Sequence, residues 1–284
     1  MFAYLTVIPV LLIILLIRGY PLVNTVAYSF TDWNGIKQSS YIGLLNYTNL
    51  LSGDQFWLLL RNTFFYLLYI PLQIIIGMIF AIFVFEKMLF YKTFRIVFYL
   101  PQVISMVVIG YLFANLFAYD GPVNNVLEMI GLPSLVLDWF GSATTAIPII
   151  IFCLVWMNIG WQGLIFAGGF SNIDSSIFDA ATIDGASFFQ RMFKIIIPML
   201  GRSIEYSVIV CVIWVFSALF PIIFTMTNGG PAYKTTTIDF MIYNLAFRQG
   251  RIGSACALAV ILTIFMVIIT RIEFHISDKA NSWQ

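Results

Sequence analysis

The chain has 284 residues, of which 61% are hydrophobic, 17% aromatic and only 10% charged, and its formal net charge is +1. Soluble domains carry roughly 45–50% apolar and about 25% charged residues, and their surfaces need polar cover. A water-soluble enzyme is therefore close to excluded, and the balanced charge gives no electrostatic argument for nucleic-acid binding. The composition predicts an integral membrane protein.

Six apolar runs approach the length of about 20 residues that a membrane-spanning helix needs. In chain order they are residues 2–17 (continuing weakly toward 26), 62–85, 96–118, 146–170, 203–224 and 254–272. The first run lacks the basic segment and small-residue cleavage site of a signal peptide, so we expect a retained helix. The sequence thus predicts an all-α polytopic protein of about six spans, with residues 1–284 as a single transmembrane domain.

Basic residues predict how the chain is oriented, since cytoplasmic loops carry an excess of Lys and Arg. Eight lie in the second loop, the fourth loop and the C-terminal tail: Lys87, Lys92, Arg95, Arg191, Lys194, Arg202, Arg271 and Lys279. Six lie in the first and fifth loops: Arg18, Lys37, Arg61, Lys234, Arg248 and Arg251. We therefore expect both termini in the cytoplasm.

Several kinds of chemistry have no sequence signal here. The acidic residues fall in loops or tails, and only Glu205 comes near a span, whereas ion-coupled carriers usually place carboxylates or histidines inside the membrane. No GxxxxGK[ST] phosphate loop occurs, so any ATP hydrolysis would take place in another subunit. The three cysteines, Cys153, Cys211 and Cys256, lie in apolar runs and suggest neither a disulfide framework nor a metal site. No catalytic residues are predicted.

The fourth loop, residues 171–202, is long and partly apolar, which is unusual for a simple connection. Its pattern predicts two short helices, the first capped by Ser175 or Ser176. Gly185 would form the corner between them, because glycine adopts positive φ without strain. On the residues alone, a helix pair docking a partner and a helix pair lying flat on the membrane remain equal alternatives.

Two motifs and their order resemble one known family. The segment from Asp179 to Ala186, Asp-Ala-Ala-x-x-Asp-Gly-Ala, with Pro198 downstream, resembles the EAA loop of binding-protein-dependent ABC importer permeases. The sequence Met-Thr-Asn-Gly-Gly-Pro, ending at Pro231 and followed by a run of Thr, resembles their carbohydrate branch. The relevant members are the MalF-like and glycerol-phosphate-permease-like subunits. Ser-Phe-Thr-Asp-Trp, starting at Ser29, and Gly-Leu-Leu-Asn-Tyr-Thr, starting at Gly43, extend the resemblance over nearly the whole chain.

The resemblance implies a type I ABC importer permease and a set of partners. These are a second, MalG-like permease, two cytoplasmic ATPase subunits holding ATP and magnesium, and an extracellular solute-binding protein. This chain itself would bind no cofactor and no metal. The coupling residues implied for the ATPase contact are Asp179, Ala180, Ala181, Asp184, Gly185 and Ala186. The family usually has Glu where this chain has Asp179, which keeps the charge but shortens its reach.

Candidate sugar-binding side chains lie in the fourth and fifth runs. Sugars bind through aromatic faces and hydrogen-bonding side chains, and the candidates are Trp156, Asn158, Trp161, Gln162, Trp214 and Ser217. Asn158 and Gln162 are four residues apart and can share a helix face, whereas Trp156 and Trp161 cannot. The alternative is that these residues serve helix–helix packing and hydrogen bonding.

Two further functional interpretations remain open at this point. A single-chain secondary carrier would need a coupling-ion site and usually more spans. A permease for a non-sugar solute such as glycerol phosphate would carry the same motifs. The fifth loop, which contains Pro231, is expected to be extracellular and either contacts the binding protein or closes the helix bundle.

Overall fold

The computed structural model describes residues 2–281, with the side-chain surroundings given for residues 7–276. Its regular structure in this range is helical, apart from one isolated bridge between Thr31 and Tyr41. The helices are α1 Phe2–Ile14, α2 Tyr20–Tyr28, α3 Leu45–Ser52, α4 Asp54–Tyr66, α5 Tyr69–Phe85, α6 Tyr91–Val103, α7 Met106–Leu116, α8 Pro122–Met129, α9 Ala143–Ser171, α10 Ser175–Ile183, α11 Phe188–Arg191, α12 Ile197–Met199, α13 Gly201–Ser217, α14 Phe220–Met226, α15 Ile238–Tyr243 and α16 Ile252–Asn281. Single π-turns, Leu15–Gly19 and Met192–Ile196, join α1 to α2 and α11 to α12.

The prediction of an all-α protein with about six spans is confirmed. Four stretches within the described residues are long and apolar enough to cross a membrane: Val7–Tyr28, Asp54–Phe85, Ala143–Ser171 and Ile252–Ile276. Two bent pairs raise the number to as many as six. The pair α6 and α7 meets at 102°, and Phe188–Met199 meets α13 at 65°.

The third apolar run is not the single helix predicted for residues 96–118. The chain breaks at Ile104 and Ser105, whose ψ angles of 141° and 136° are extended and not helical. Hydropathy records how apolar a run is and not where its helix bends, and the one local signal was Pro101, which lies within the last turn of α6. As a result α6 packs on α9, and α7 packs on α14.

The fifth run also differs from the single helix predicted for residues 203–224. Helix α13 ends at Ser217, and α14 begins at Phe220. The backbone N–H of Phe220 donates to Oδ2 of Asp239 at 2.7 Å, which satisfies a donor that a helix start leaves free. A carboxylate 19 residues downstream therefore stabilises the start of α14, and a hydropathy pattern carries no such information.

Helix α9 forms the centre of the bundle. Its apolar window is 67% buried, whereas that of the first span is 0% buried. Glycines let neighbouring helices approach it: a Cβ added at Gly77 of α5 would overlap the side chain of Gln162, and one at Gly160 would lie 2.6 Å from the backbone of α6. Small residues at such crossings are typical of helix packing in membranes.

The two N-terminal motifs contact the last span through the side-chain amide of Asn46. Nδ2 of Asn46 donates to the carbonyls of Ser29 and Thr31 at 2.9 and 2.8 Å. Ser254, at the start of α16, donates from its hydroxyl to Oδ1 of Asn46 at 2.9 Å. This buried junction joins the ends of the first and last spans.

Residues 227–237, named here the Thr loop, fold against α4. Asn62 donates from Nδ2 to the carbonyl of Thr236 at 3.1 Å, and the hydroxyl of Tyr66 donates to the carbonyl of Thr235 at 3.1 Å. All four side chains are buried. The threonine half of the Thr loop is therefore packed inside the fold, whereas residues 232–234 are exposed at this end of the helix bundle.

Candidate coupling loop and solute cavity

The fourth loop, residues 171–202 and named here the coupling loop, forms the two short helices that the pattern predicts. The cap of α10 is Asp174 and neither Ser175 nor Ser176: its Oδ1 accepts the backbone N–H of Ser176 at 2.9 Å. This hydrogen bond lowers the pKa of the Asp174 carboxyl below its ordinary value, because it stabilises the ionised form. An acidic cap also suits the positive end of the helix dipole.

The corner after α10 is at Gly185, as predicted, with φ of +71°. The N–H of Gly185 donates to the carbonyl of Thr182 at 3.1 Å, and that of Ala186 donates to the carbonyl of Ala181 at 3.0 Å. These two bonds form the Schellman arrangement, which ends a helix with glycine in the left-handed region. No described atom lies within 4 Å of an added Cβ, so conformation and not space requires glycine here.

The second helix starts with a capping box that the sequence analysis missed. The side chain of Ser187 accepts the N–H of Gln190 at 3.4 Å, and the side chain of Gln190 accepts the N–H of Ser187 at 2.8 Å. The signal was present, since Ser-x-x-Gln before an apolar run is a known helix start.

The six implied coupling residues do not all face outward. Asp179, Ala180, Asp184 and Gly185 are exposed, Ala186 is half-buried, and Ala181 is only 5% exposed. Ala181 therefore faces the rest of this chain. Next to the exposed set lies Ile183, 86% exposed, which the sequence analysis did not single out. Ile183 thus adds an exposed apolar side chain to the two exposed residues that follow it, Asp184 and Gly185.

A cavity of about 240 Å³ lies between α5, α6, α9 and α13. It contains three of the six predicted sugar-binding residues, Asn158, Trp161 and Trp214. The ring of Tyr69 lies 5.9 Å from that of Trp214 on the same wall. The lining residues are Tyr69, Gln102, Asn158, Trp161, Val210, Cys211 and Trp214.

The other three predicted residues are placed elsewhere. Gln162 is fully buried and donates from Nε2 to the hydroxyl of Ser207 at 2.7 Å. Trp156 packs with its ring 5.5 Å from Phe113. Ser217 is exposed on another face of α13, where its hydroxyl donates to the carbonyl of Ile213 at 2.7 Å. For Gln162 and Trp156 the geometry favours helix packing, whereas Ser217 lies outside the cavity and bonds only its own helix.

The sequence analysis missed two polar side chains of the cavity. Gln102 follows Pro101 in an otherwise apolar run, and an amide at that depth was a usable signal because it needs a partner in hydrocarbon. Tyr69 carried no signal, since a tyrosine at the start of an apolar helix is equally typical of the membrane interface.

Asp239 lies in the fifth loop, in line with the expectation that acidic residues fall in loops or tails, but its carboxyl is directed into the fold. The residue is half-buried in α15, and desolvation raises the pKa of its carboxyl above the ordinary value. Its oxygens accept from the hydroxyl of Thr237 and from the N–H groups of Phe220 and Phe240. The carboxyl is thus held by local donors that fix the junction between α14 and α15.

Known proteins were compared with this sequence and fold. The family model described as "Binding-protein-dependent transport system inner membrane component" matches residues 73–281. The Bacillus subtilis "Probable ABC transporter permease protein YesP" is 31% identical, over 91% of this chain and 84% of that protein. The Streptococcus mutans "Multiple sugar-binding transport system permease protein MsmF" is 30% identical, over 92% and 89%.

A third relative and a solved structure agree in coverage. The Rhizobium radiobacter "Lactose transport system permease protein LacF" is 30% identical, over 96% of this chain and 92% of that protein. A chain of a bacterial ABC transporter involved in the import of the acidic polysaccharide alginate superposes with a TM-score of 0.83. It covers 98% of this chain and 95% of the other at 20% identity, which establishes a shared fold.

Proposed function

Since this chain belongs to the family of binding-protein-dependent transport system inner membrane components, we propose that it is the permease subunit of an ATP-driven importer for a carbohydrate. It would form half of the translocation path beside a second permease subunit. Two cytoplasmic ATPase subunits would supply the energy, and an extracellular binding protein would deliver the solute.

The observation that carries this proposal is the shape of the coupling loop. Helix α10 ends in a glycine corner with Ile183 and Asp184 exposed at its tip. An apolar side chain beside a carboxylate suits a partner groove that has an apolar floor and a basic or amide rim. This favours docking over a helix pair lying flat on the membrane, since Asp179 and Asp184 would then lie against lipid headgroups without basic neighbours on the helix.

A carbohydrate as the solute is supported by the cavity. Trp161, Trp214 and Tyr69 offer aromatic faces, and Asn158 and Gln102 offer amides. Aromatic faces with a few polar groups are the usual composition of sugar sites. The printed names of two relatives, a multiple sugar-binding system permease and a lactose system permease, agree with this class. Among the described residues, none with a cationic side chain lines the cavity, which disfavours glycerol phosphate as the solute.

The proposed orientation places the coupling loop and both termini in the cytoplasm and the Thr loop outside. The basic residues support it, with Lys87, Lys92 and Arg95 concentrated between α5 and α6. A cysteine introduced at Ile183 should react with an impermeant thiol reagent only in inverted vesicles. Labelling from the outside of intact cells would contradict both the orientation and the ATPase contact.

The experiment that tests the function is reconstitution. The chain is copurified with its neighbouring gene products and placed in vesicles with ATP enclosed and the binding protein outside. We expect uptake of a labelled sugar that requires both the ATP and the binding protein. Uptake by the purified chain alone, driven by an ion gradient, would instead identify a secondary carrier. A thermal-shift screen of the binding protein with sugars and glycerol phosphate would identify the solute class.

A further inference from the structure

Two contacts connect the coupling loop to one end of α5. Arg191, at the end of α11, donates from Nη2 to Oε1 of Glu86 at 2.9 Å. The ring of Phe178, on α10, lies 5.3 Å from the ring of Phe85, which itself stacks on Phe170 at 4.8 Å. Phe85 is the last residue of α5 and Glu86 is its C-cap. Both helices of the coupling loop therefore contact the same turn.

Helix α5 leads from this turn to the cavity. It has 17 residues, or about 26 Å of helix, and its first residue is Tyr69, a wall of the cavity. Along its length it packs tightly on α9, where Gly77 leaves no space beside Gln162. A closely packed helix shifts as a unit instead of deforming gradually. A displacement of the coupling loop would thus reach the cavity wall along α5.

The position of the Glu86–Arg191 pair is not explained by fold stability. A carboxylate at the C-terminal end of a helix meets the negative end of the helix dipole, which is unfavourable. The two side chains are part-buried, at 28% and 21% exposure, so water still screens the pair in part and limits its contribution to folding. What the pair does provide is a directional contact between segments 105 residues apart in the chain.

We propose that the Glu86–Arg191 ion pair and the Phe85–Phe178 ring contact form a link that passes movement of the coupling loop through α5 to the cavity wall at Tyr69. This rests on the proposed function and makes Glu86 and Arg191 positioning residues for transport. Since coupling between two sites is reciprocal, solute in the cavity would also bias the position of the loop.

The test measures solute uptake and ATP hydrolysis in the same vesicles, which contain the whole importer. Glu86→Gln and Arg191→Gln should each lower the solute moved per ATP hydrolysed by about fivefold, a common size for coupling between distant sites. The double exchange Glu86→Arg with Arg191→Glu rebuilds the pair in reverse and should restore most of the ratio. The amount of copurifying ATPase should stay at the wild-type level throughout.

Lys87→Gln is the matched control, because it removes an exposed charge beside Glu86 and should leave the ratio unchanged. Single variants with the wild-type ratio would overturn the link, and so would a double exchange that inserts normally but restores nothing. A wild-type preparation that binds no ATPase would refute the proposed function itself. If the wild-type importer transports solute and the single variants have the same ratio of solute to ATP, only the link is refuted.

Discussion

The two motif-bearing loops at opposite ends of the bundle differ in how much of their framework comes from distant parts of the chain. The corner of the coupling loop, residues 181–186, is held by hydrogen bonds between residues at most five apart, and Asp184 and Gly185 are exposed there. The Thr loop has local hydrogen bonds as well, but α4, about 170 positions away in the chain, also holds it, and its residues Thr235, Thr236 and Thr237 are fully buried.

The difference indicates that the two motifs of the family serve different purposes, one for contact with a partner and one for folding. The corner of the coupling loop keeps its shape through its own hydrogen bonds and leaves its surface exposed, which is what a contact with another subunit needs. The three threonines of the Thr loop are directed inward, where unpaired polar groups would be costly. We therefore expect changes in the coupling loop to reduce transport, and changes in the Thr loop to reduce folding.

The largest expected effect is the loss of transport from Gly185→Val. A β-branched residue strongly disfavours a φ of +71°, so the corner would open and displace the exposed tip of α10. We expect uptake to be abolished while the variant still inserts at the wild-type level. Gly168→Val is the control, because Gly168 is exposed in α9 with ordinary helical φ and no described atom within 4 Å of an added Cβ. Unchanged uptake with Gly185→Val would remove the coupling role.

A matched pair of alanine variants compares the stability of the two loops. Gly185 and Gly229 both have positive φ, of +71° and +81°, but only Gly229 is crowded: an added Cβ would overlap Thr236 and lie 2.7 Å from the ring of Phe240. Backbone strain alone predicts that Gly185→Ala costs about 1 kcal/mol, whereas strain with overpacking predicts about 3 kcal/mol for Gly229→Ala. Thermal melting of the purified protein measures the difference. Equal melting temperatures would contradict the description of the Thr loop as an internal element.

The smallest expected effect concerns the cavity. Asn158→Leu removes an amide from the cavity wall, and the loss of about one hydrogen bond to the solute predicts a roughly fivefold higher half-saturation for uptake. Gln162→Leu, one turn further along α9, removes an amide that bonds Ser207 outside the cavity. That variant should lower the amount of folded protein and leave half-saturation unchanged. If both variants change only the amount of protein, these amides serve packing.

Local features were predictable from the sequence, and distant ones were not. The Gly185 corner could be predicted from one glycine between two helical patterns. The capping box could likewise have been predicted from the three-residue spacing of Ser187 and Gln190. The start of α14 at Phe220 depends on Asp239, which reaches it only in the folded chain. Asn158 and Gln162 share a helix face, yet one lines the cavity and the other bonds α13. Which of the two amides lines the cavity depends on the neighbouring helices and cannot be predicted from residue spacing.

The junction at Asn46 has a consequence for biosynthesis. The amide meets Ser254, which is 208 residues later in the chain. At a synthesis rate of about 5–20 residues per second, the ribosome needs roughly 10–40 s to make the intervening segment. Throughout that interval Asn46 lacks its partner on α16, so the contact between these two spans can form only after α16 has been made.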